Sequence, residues 1–393
     1  MGIMTIFPLS LYLHIPYCVH KCPYCDFHSR VEVQVPQERY VDALLMELGM
    51  WRRRFSQDAR PLQSIFLGGG TPSLFDPPQI GRLMAGIGAI WPLESGCEVT
   101  MEGNPESLTQ GRLAGYGEAG ITRMSVGVQA LDEGRLRQLQ RPHDRAQALQ
   151  GLGWLAQAGF SSWSADFIFA TPGHTVAGWL EELAEVLAFA PPHLSCYGLT
   201  VEPGTPFFQR QQGGEALVAD EERQLALLEA TYERLTAAGL PSYEISNFAR
   251  AGHGCRHNVN YWRFGDYLGV GVAAHGKWSD ADGVVWRSAN LADAARYMAC
   301  VEAGRSPWVR DQRLTPQEAG NEALVMGLRM GEGMSKATYQ WVRGVSLQQS
   351  VGDGLAWFER QGMLAQSATH VWLTPRGLRL ADGVMAELME VEP

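Results

Sequence analysis

The sequence predicts an α/β fold: a parallel array of six strand–helix units, followed by a small winged-helix-like α+β domain. Three observations lead there. From residue 9 to about 200, short runs rich in β-branched and aromatic residues alternate with stretches whose apolar residues recur at spacings of three and four. Each strand candidate is followed by a helical segment, the crossover that parallel strands require. From about residue 310 the pattern changes to closely spaced helices and a short β-wing.

In chain order the strand candidates are SLYLHI (10–15), SIFLGG (64–69), EVTMEG (98–103), RMSVGV (123–128), SADFIF (164–169) and LSCYGL (194–199). Between them lie helical stripes such as Val41, Leu44, Leu45, Leu48 and Trp179, Leu180, Leu183, Val186, Leu187. Periodicity leaves two architectures open, a doubly wound sheet or an incomplete barrel. In both, strand ends carry the chemistry. A long helix follows over about 217–239, then an aromatic and glycine-rich region over 242–276. Further helices are expected at about 315–330, 335–342 and 350–361, then a strand in HVWLTPRG and a last helix. The expected divisions are 1–240, 241–305 and 306–393.

The chain has 393 residues, 46% of them hydrophobic and 19% charged, ordinary values for a globular protein with a sizeable core. A net charge of −10 argues against nucleic acid or anionic lipid as partner. The C-terminal part, 310–393, holds eight Lys/Arg and ten Asp/Glu, so its winged-helix pattern is not expected to read DNA. No apolar run approaches 18 residues. The opening stretch, MGIMTIFPLSLYLHIP, has no basic n-region or small-residue cleavage pattern and reads as the first strand of a cytoplasmic protein.

Seven cysteines in so long a chain are no disulfide framework. Cys97, Cys196, Cys255 and Cys300 are scattered, as small core residues are. Cys18, Cys22 and Cys25 form a C-x3-C-x2-C cluster directly after the first strand. Structural zinc sites pair two such turns, and no second pair is present. A redox C-x-x-C of Cys22 and Cys25 leaves Cys18 unexplained. A [4Fe–4S] cluster fits best: three thiolates hold three irons and leave the fourth open for a ligand. Other unusual stretches also fall at strand ends: GGGTP (68–72), EGNP (102–105), Gln129 and TPG (171–173). Glycines there let backbone approach a ligand without a Cβ in the way.

C-x3-C-x2-C on the loop after the first strand of such an array, with GGGTP after the second, resembles the radical S-adenosylmethionine superfamily. YLHIPYC (12–18), GGGTPS (68–73), EGNPES (102–107), SVGVQ (125–129), QRPH (140–143) and EPGTP (202–206) together look like its coproporphyrinogen dehydrogenase-like branch. The resemblance covers most of the chain and implies a partial (β/α)6 barrel with a winged-helix-like tail. It implies that S-adenosylmethionine chelates the open iron, where an electron from the cluster cleaves it to a 5′-deoxyadenosyl radical. The coproporphyrinogen dehydrogenases carry a fourth cysteine two residues beyond the third; here that place is Phe27. Heme chaperones of the HemW type have Phe there and an H-N-x-x-Y-W motif, which reads His257-Asn258-Val259-Asn260-Tyr261-Trp262 here.

Carried over motif by motif, the resemblance puts Tyr12 and Tyr24 around S-adenosylmethionine, with Gly69, Gly70 and Thr71 along its methionine. Glu102 would face a polar part of the cofactor. Gln129, Arg141 and Asp166 match positions that hold a second S-adenosylmethionine in the dehydrogenases; for Arg141 and Asp166, strand-end and loop polarity is the competing reading. Residues 170–171 are Ala-Thr where the family more often has Gly-Leu. On residue types alone, His257 beside two aromatics suits a packed core or a heme contact. The resemblance favours heme, with His257 as iron ligand, Tyr261 and Trp262 packing, and Cys255 and His275 as rivals for the iron. The implied function is a heme chaperone serving respiratory membrane proteins, with a flavodoxin or ferredoxin as electron donor and a homodimer possible. The alternative is oxygen-independent coproporphyrinogen III dehydrogenation.

Overall fold

Residues 7–280 and 282–389 are described by the structure, a computed structural model. Residues 1–6 of the opening stretch lie outside them.

The six expected strands form, each within a few residues of its sequence bounds. They are β1 (Leu9–Ile15), β2 (Leu62–Gly69), β3 (Leu93–Gly103), β4 (Arg123–Gln129), β5 (Ser162–Phe169) and β6 (His193–Gly198). All five neighbouring pairs are parallel and lie in sequence order. A doubly wound sheet would reverse that order at a switch point. The absence of a reversal here settles the open choice in favour of a partial barrel. The crossovers run through α1 (Gln37–Arg54), α2 (Pro77–Ile90), α3 (Gln110–Glu118), α4 (Arg145–Gln157) and α5 (Val176–Leu187). Side-chain caps start several of them: Thr109 accepts from the Arg112 amide, Asp144 from Gln147 and Thr175 from Gly178.

The barrel stays open, and later segments extend both edges. β7 (Asn247–Ala249) pairs antiparallel with β6. On the other side β8 (Asp266–Val270) lies parallel to β1. β9 (His275–Ser279), β10 (Val285–Asn290) and β11 (Trp308–Arg313) continue it antiparallel, giving an eleven-stranded sheet among the described residues.

The long helix, α6, spans Glu221–Ala237 rather than starting near 217. Asp220 caps the Arg223 amide, so the chain enters the helix only there. Downstream, helices Pro316–Leu328, Lys336–Arg343 and Leu347–Arg360 pack against a hairpin of Leu364–Gln366 and His370–Leu373, the expected winged-helix arrangement. Phe7, Phe264 and Val285 from the barrel side share the core of this small domain.

Candidate functional site

Inward-facing positions alternate along the barrel strands, and register places them in layers. Glu102 lies opposite Ser125, Gly127 opposite Asp166, and Asp166 opposite Ser195. They border two cavities that meet at Gly69, Glu102, Ser125 and Asp166.

The upper cavity, about 370 Å³, lies at the carboxyl ends of the strands. Cys18, Cys22 and Cys25 all border it, with Tyr24, Gly70, Thr71, Gln129 and Arg141. Its cysteine loop is held at several points. Cys18 sits on a two-residue strand paired with Arg30–Val31. The Cys25 amide donates to the Cys22 carbonyl (3.1 Å), and Lys21 Nζ donates to the carbonyls of Phe27 and Ser29. EPGTP supplies the other brace: Thr205 caps helix Pro206–Gln212, whose Phe207 amide donates to the Pro23 carbonyl at 3.0 Å.

GGGTP does two jobs. The Gly70 and Thr71 amides donate to the carbonyls of Ile15 and Tyr17, both at 2.8 Å, fixing the stem of the cysteine loop. A Cβ on Gly70 would lie 2.8 Å from backbone atoms of residues 15–17, and Gly69 has φ +107°, so neither position accepts a side chain without displacement. Thr71 Oγ1 also donates to Cys18 Sγ at 3.4 Å.

Arg141 ties the remaining motifs together. It donates to Cys22 Sγ (3.3 Å), the Tyr24 hydroxyl (3.4 Å), Asn104 Oδ1 (2.8 Å) and the Gly127 carbonyl (3.0 Å). Asn104 in turn donates to Thr71 Oγ1 at 3.1 Å. Sequence reasoning passed over Asn104, although the quoted EGNP string contains it. Burial opposes the charge of Arg141, yet Tyr24, Cys22 and Glu106 hold its pKa above the ordinary value. Glu102 accepts from the Gly69 amide at 3.1 Å, and burial pushes its pKa up to about 7.

Three thiols on one braced loop, a guanidinium and a hydroxyl directed at two of the sulfurs, and a glycine cradle alongside suit a [4Fe–4S] cluster with a small zwitterion beside it. Burial raises the pKa of Cys18 and Cys25, so ligation there releases protons. Among the described residues no three His, Cys, Asp or Glu side chains converge on a single metal ion.

The deeper cavity, about 790 Å³, holds Tyr12 rather than the upper one. Tyr12 stacks on Phe66 (6.3 Å between centroids) and meets His14 Nδ1 at 3.0 Å. Tyr261, Tyr267, His28 and His275 border it too. His257 lies one layer behind: it stacks on Phe66 at 5.1 Å, and its ring nitrogens meet Ser64 Oγ (3.1 Å) and the Tyr261 hydroxyl (2.7 Å). Burial lowers its pKa to about 3, so the ring is neutral. Trp262 does not share that wall; the Arg329 guanidinium of the C-terminal domain covers its ring at 4.7 Å. Cys255 is buried, with its thiol on Glu98 Oε1.

Fold and site together define a radical S-adenosylmethionine protein. The model of the radical SAM superfamily matches residues 12–189, and that of the HemN C-terminal domain matches residues 314–380. The heme chaperone HemW of Haemophilus influenzae is 34% identical over 374 residues, covering 94% of this chain and 95% of that one. HemW of Escherichia coli is 40% identical over 282 residues, 72% and 73% of the two chains. The chain belongs to the family of the heme chaperone HemW. Its fold is shared with the Escherichia coli coproporphyrinogen III oxidase HemN, at a TM-score of 0.82 and 22% identity over 98% of this chain and 90% of that one.

Proposed function

We propose that this protein is a heme chaperone that carries a [4Fe–4S] cluster on Cys18, Cys22 and Cys25 and binds S-adenosylmethionine beside it. The observation that carries this reading is the near full-length similarity to a HemW chaperone. Phe27 agrees with it, standing where the dehydrogenases have a fourth cysteine. Bound there, cluster and S-adenosylmethionine supply one-electron reductive chemistry. The chain's own residues do the holding: Gly69 and Gly70 line the methionine, Thr71 and Arg141 brace Cys18 and Cys22, and Glu102 offers a buried carboxylate. Gln129, Arg141 and Asp166 lie close enough to this cavity to contact a second copy of the cofactor.

Heme occupies the deeper cavity in this reading, against Tyr12 and Phe66. His257 is already neutral, as an iron ligand must be. Reaching the cavity requires Tyr261 to swing aside, at the cost of a hydrogen bond worth about 1 kcal/mol. His275 and His28, whose rings make no hydrogen bond among the described residues, are imidazoles that border the cavity without that movement. Heme then passes to respiratory membrane proteins from the cytoplasm, with a flavodoxin or ferredoxin reducing the cluster. No described helix is long and apolar enough to cross a membrane.

The test is an anaerobic heme titration of the cluster-reconstituted protein, followed by its Soret band, beside His257→Ala and His275→Ala. Saturable binding in the wild type supports the chaperone, and the variant that loses the ligated spectrum identifies the iron ligand. No specific binding, together with protoporphyrinogen IX formation from coproporphyrinogen III, would replace this reading with the dehydrogenase.

A further inference from the structure

Arg123 opens β4 at the amino end of the barrel, one layer below Ser125 at the edge of the cluster cavity, and borders the deeper cavity. Its side chain is 2% exposed. Among the described residues its side chain makes neither a hydrogen bond nor an ion pair, and its Nε and Nη2 are enclosed without an acceptor. A buried guanidinium in that condition is destabilising unless something completes it.

The nearby acids are already engaged. Glu98 Oε1 accepts from the Cys255 thiol and the His257 amide. Both oxygens of Asp166 accept hydroxyls, from Ser125 and Ser164 at 2.8 Å each. These two carboxylates compensate part of the charge through space and leave its donors free. Glu102 borders the opposite, cluster-facing end of the cavity. Around Arg123 the wall is polar, with Ser125, Ser195 and Asn247, whose Oδ1 is also without a partner. Across from it stand the rings of Tyr12, Phe66 and Tyr267. The cavity therefore has one flat apolar side and one cationic polar end, and its size suits a ligand of several rings.

We propose that Arg123 is an internal carboxylate receptor, which takes an acidic side chain of a tetrapyrrole, a propionate of the heme, at the floor of the barrel. This rests on the proposal that the deeper cavity holds heme. A guanidinium fork matches a carboxylate in a bidentate pair, and burial strengthens such a pair relative to water. No bond is made or broken. The free acid is held while its ester is not.

The experiment compares heme and metal-free protoporphyrin IX with their dimethyl esters, titrated anaerobically into the cluster-reconstituted wild type and Arg123→Met. The metal-free pair removes iron ligation from the comparison. The expected result is that esterification weakens binding at least tenfold in the wild type. In Arg123→Met, acid and ester should bind alike, near the level of the wild-type ester. Equal binding of acid and ester by the wild type overturns the receptor and leaves the heme reading standing. So does an Arg123→Met protein that keeps the full preference for the acid. If the wild type binds none of the four, the heme reading falls and the receptor falls with it. Should Arg123→Met fail to fold, Arg123→Lys replaces it: the charge stays, the fork is lost, and an acid preference reduced severalfold is expected, whereas an unchanged preference overturns the receptor.

Discussion

At Ala170 the backbone adopts φ 64°, the left-handed region that L-residues with a Cβ avoid. The residue is buried at the carboxyl end of β5, and its amide donates to His174 Nδ1 at 3.2 Å. Ala170 thus holds this turn with strain, while Thr171 accepts from Arg135 Nε at 3.2 Å. Ala170→Gly should relieve the strain but cost unfolded-state entropy, for a net gain of up to about 1 kcal/mol in urea unfolding. A loss of stability would show that the methyl packing outweighs the backbone. Residue types singled out Cys18, Cys22 and Cys25 because three thiols at C-x3-C-x2-C have few other uses, and the structure brings all three to one cavity. They could not single out Asn104 or Arg123, which stand out only by what surrounds them: Asn104 bridges two motifs, and Nε and Nη2 of Arg123 have no hydrogen-bond partner among the described residues.

The GGGTP turn and the cysteine loop behave as one element, because the Gly70 and Thr71 amides hold the carbonyls of Ile15 and Tyr17 at the loop stem. Gly70→Ala should push the stem away, since the atoms it meets are backbone and cannot rotate clear. Iron per chain after reconstitution should fall well below that of the wild type, with far-UV dichroism unchanged; full iron loading would show that the loop tolerates the shift. The six parallel strands were legible because period-2 or continuous apolar runs are strong signals. β8 to β11 were not, because the short runs between glycines in 266–313 take their strand form from pairing with β1 and with one another.

Across the whole molecule, buried titratable groups set how stability responds to pH. Burial raises Glu47 and Glu102 to about 7, while His14 falls to about 4 and His257 to about 3. For the histidines the unfolded chain binds the proton more readily, so their contribution is present above the unfolded pKa of about 6.5 and is lost as pH falls. For the carboxyls the sign reverses: the folded state keeps the proton, so stability declines as pH rises from about 4.5 to about 7. Glu102→Gln isolates one of them, since the amide oxygen can still accept from the Gly69 amide. Relative to the wild type, the variant should gain roughly 2 kcal/mol between about pH 5 and about pH 8 in the cofactor-free protein, read from urea midpoints. A constant difference would mean that Glu102 does not titrate in that window.

The HNVNYW helix, α7 (Arg256–Trp262), has a consequence at the same scale. Its His257 and Tyr261 back the barrel cavity, its Trp262 lies under Arg329, and the next residue, Arg263, forms an ion pair with Glu332. Filling the cavity and seating the tail domain thus draw on the same two turns of backbone. Linkage would make such an arrangement run both ways: a partner of the tail domain that shifts the helix changes the cavity's affinity for its ligand by the same factor by which that ligand changes the affinity for the partner. If the proposed heme reading holds, a partner gripping the tail domain could act on the cavity without entering the barrel.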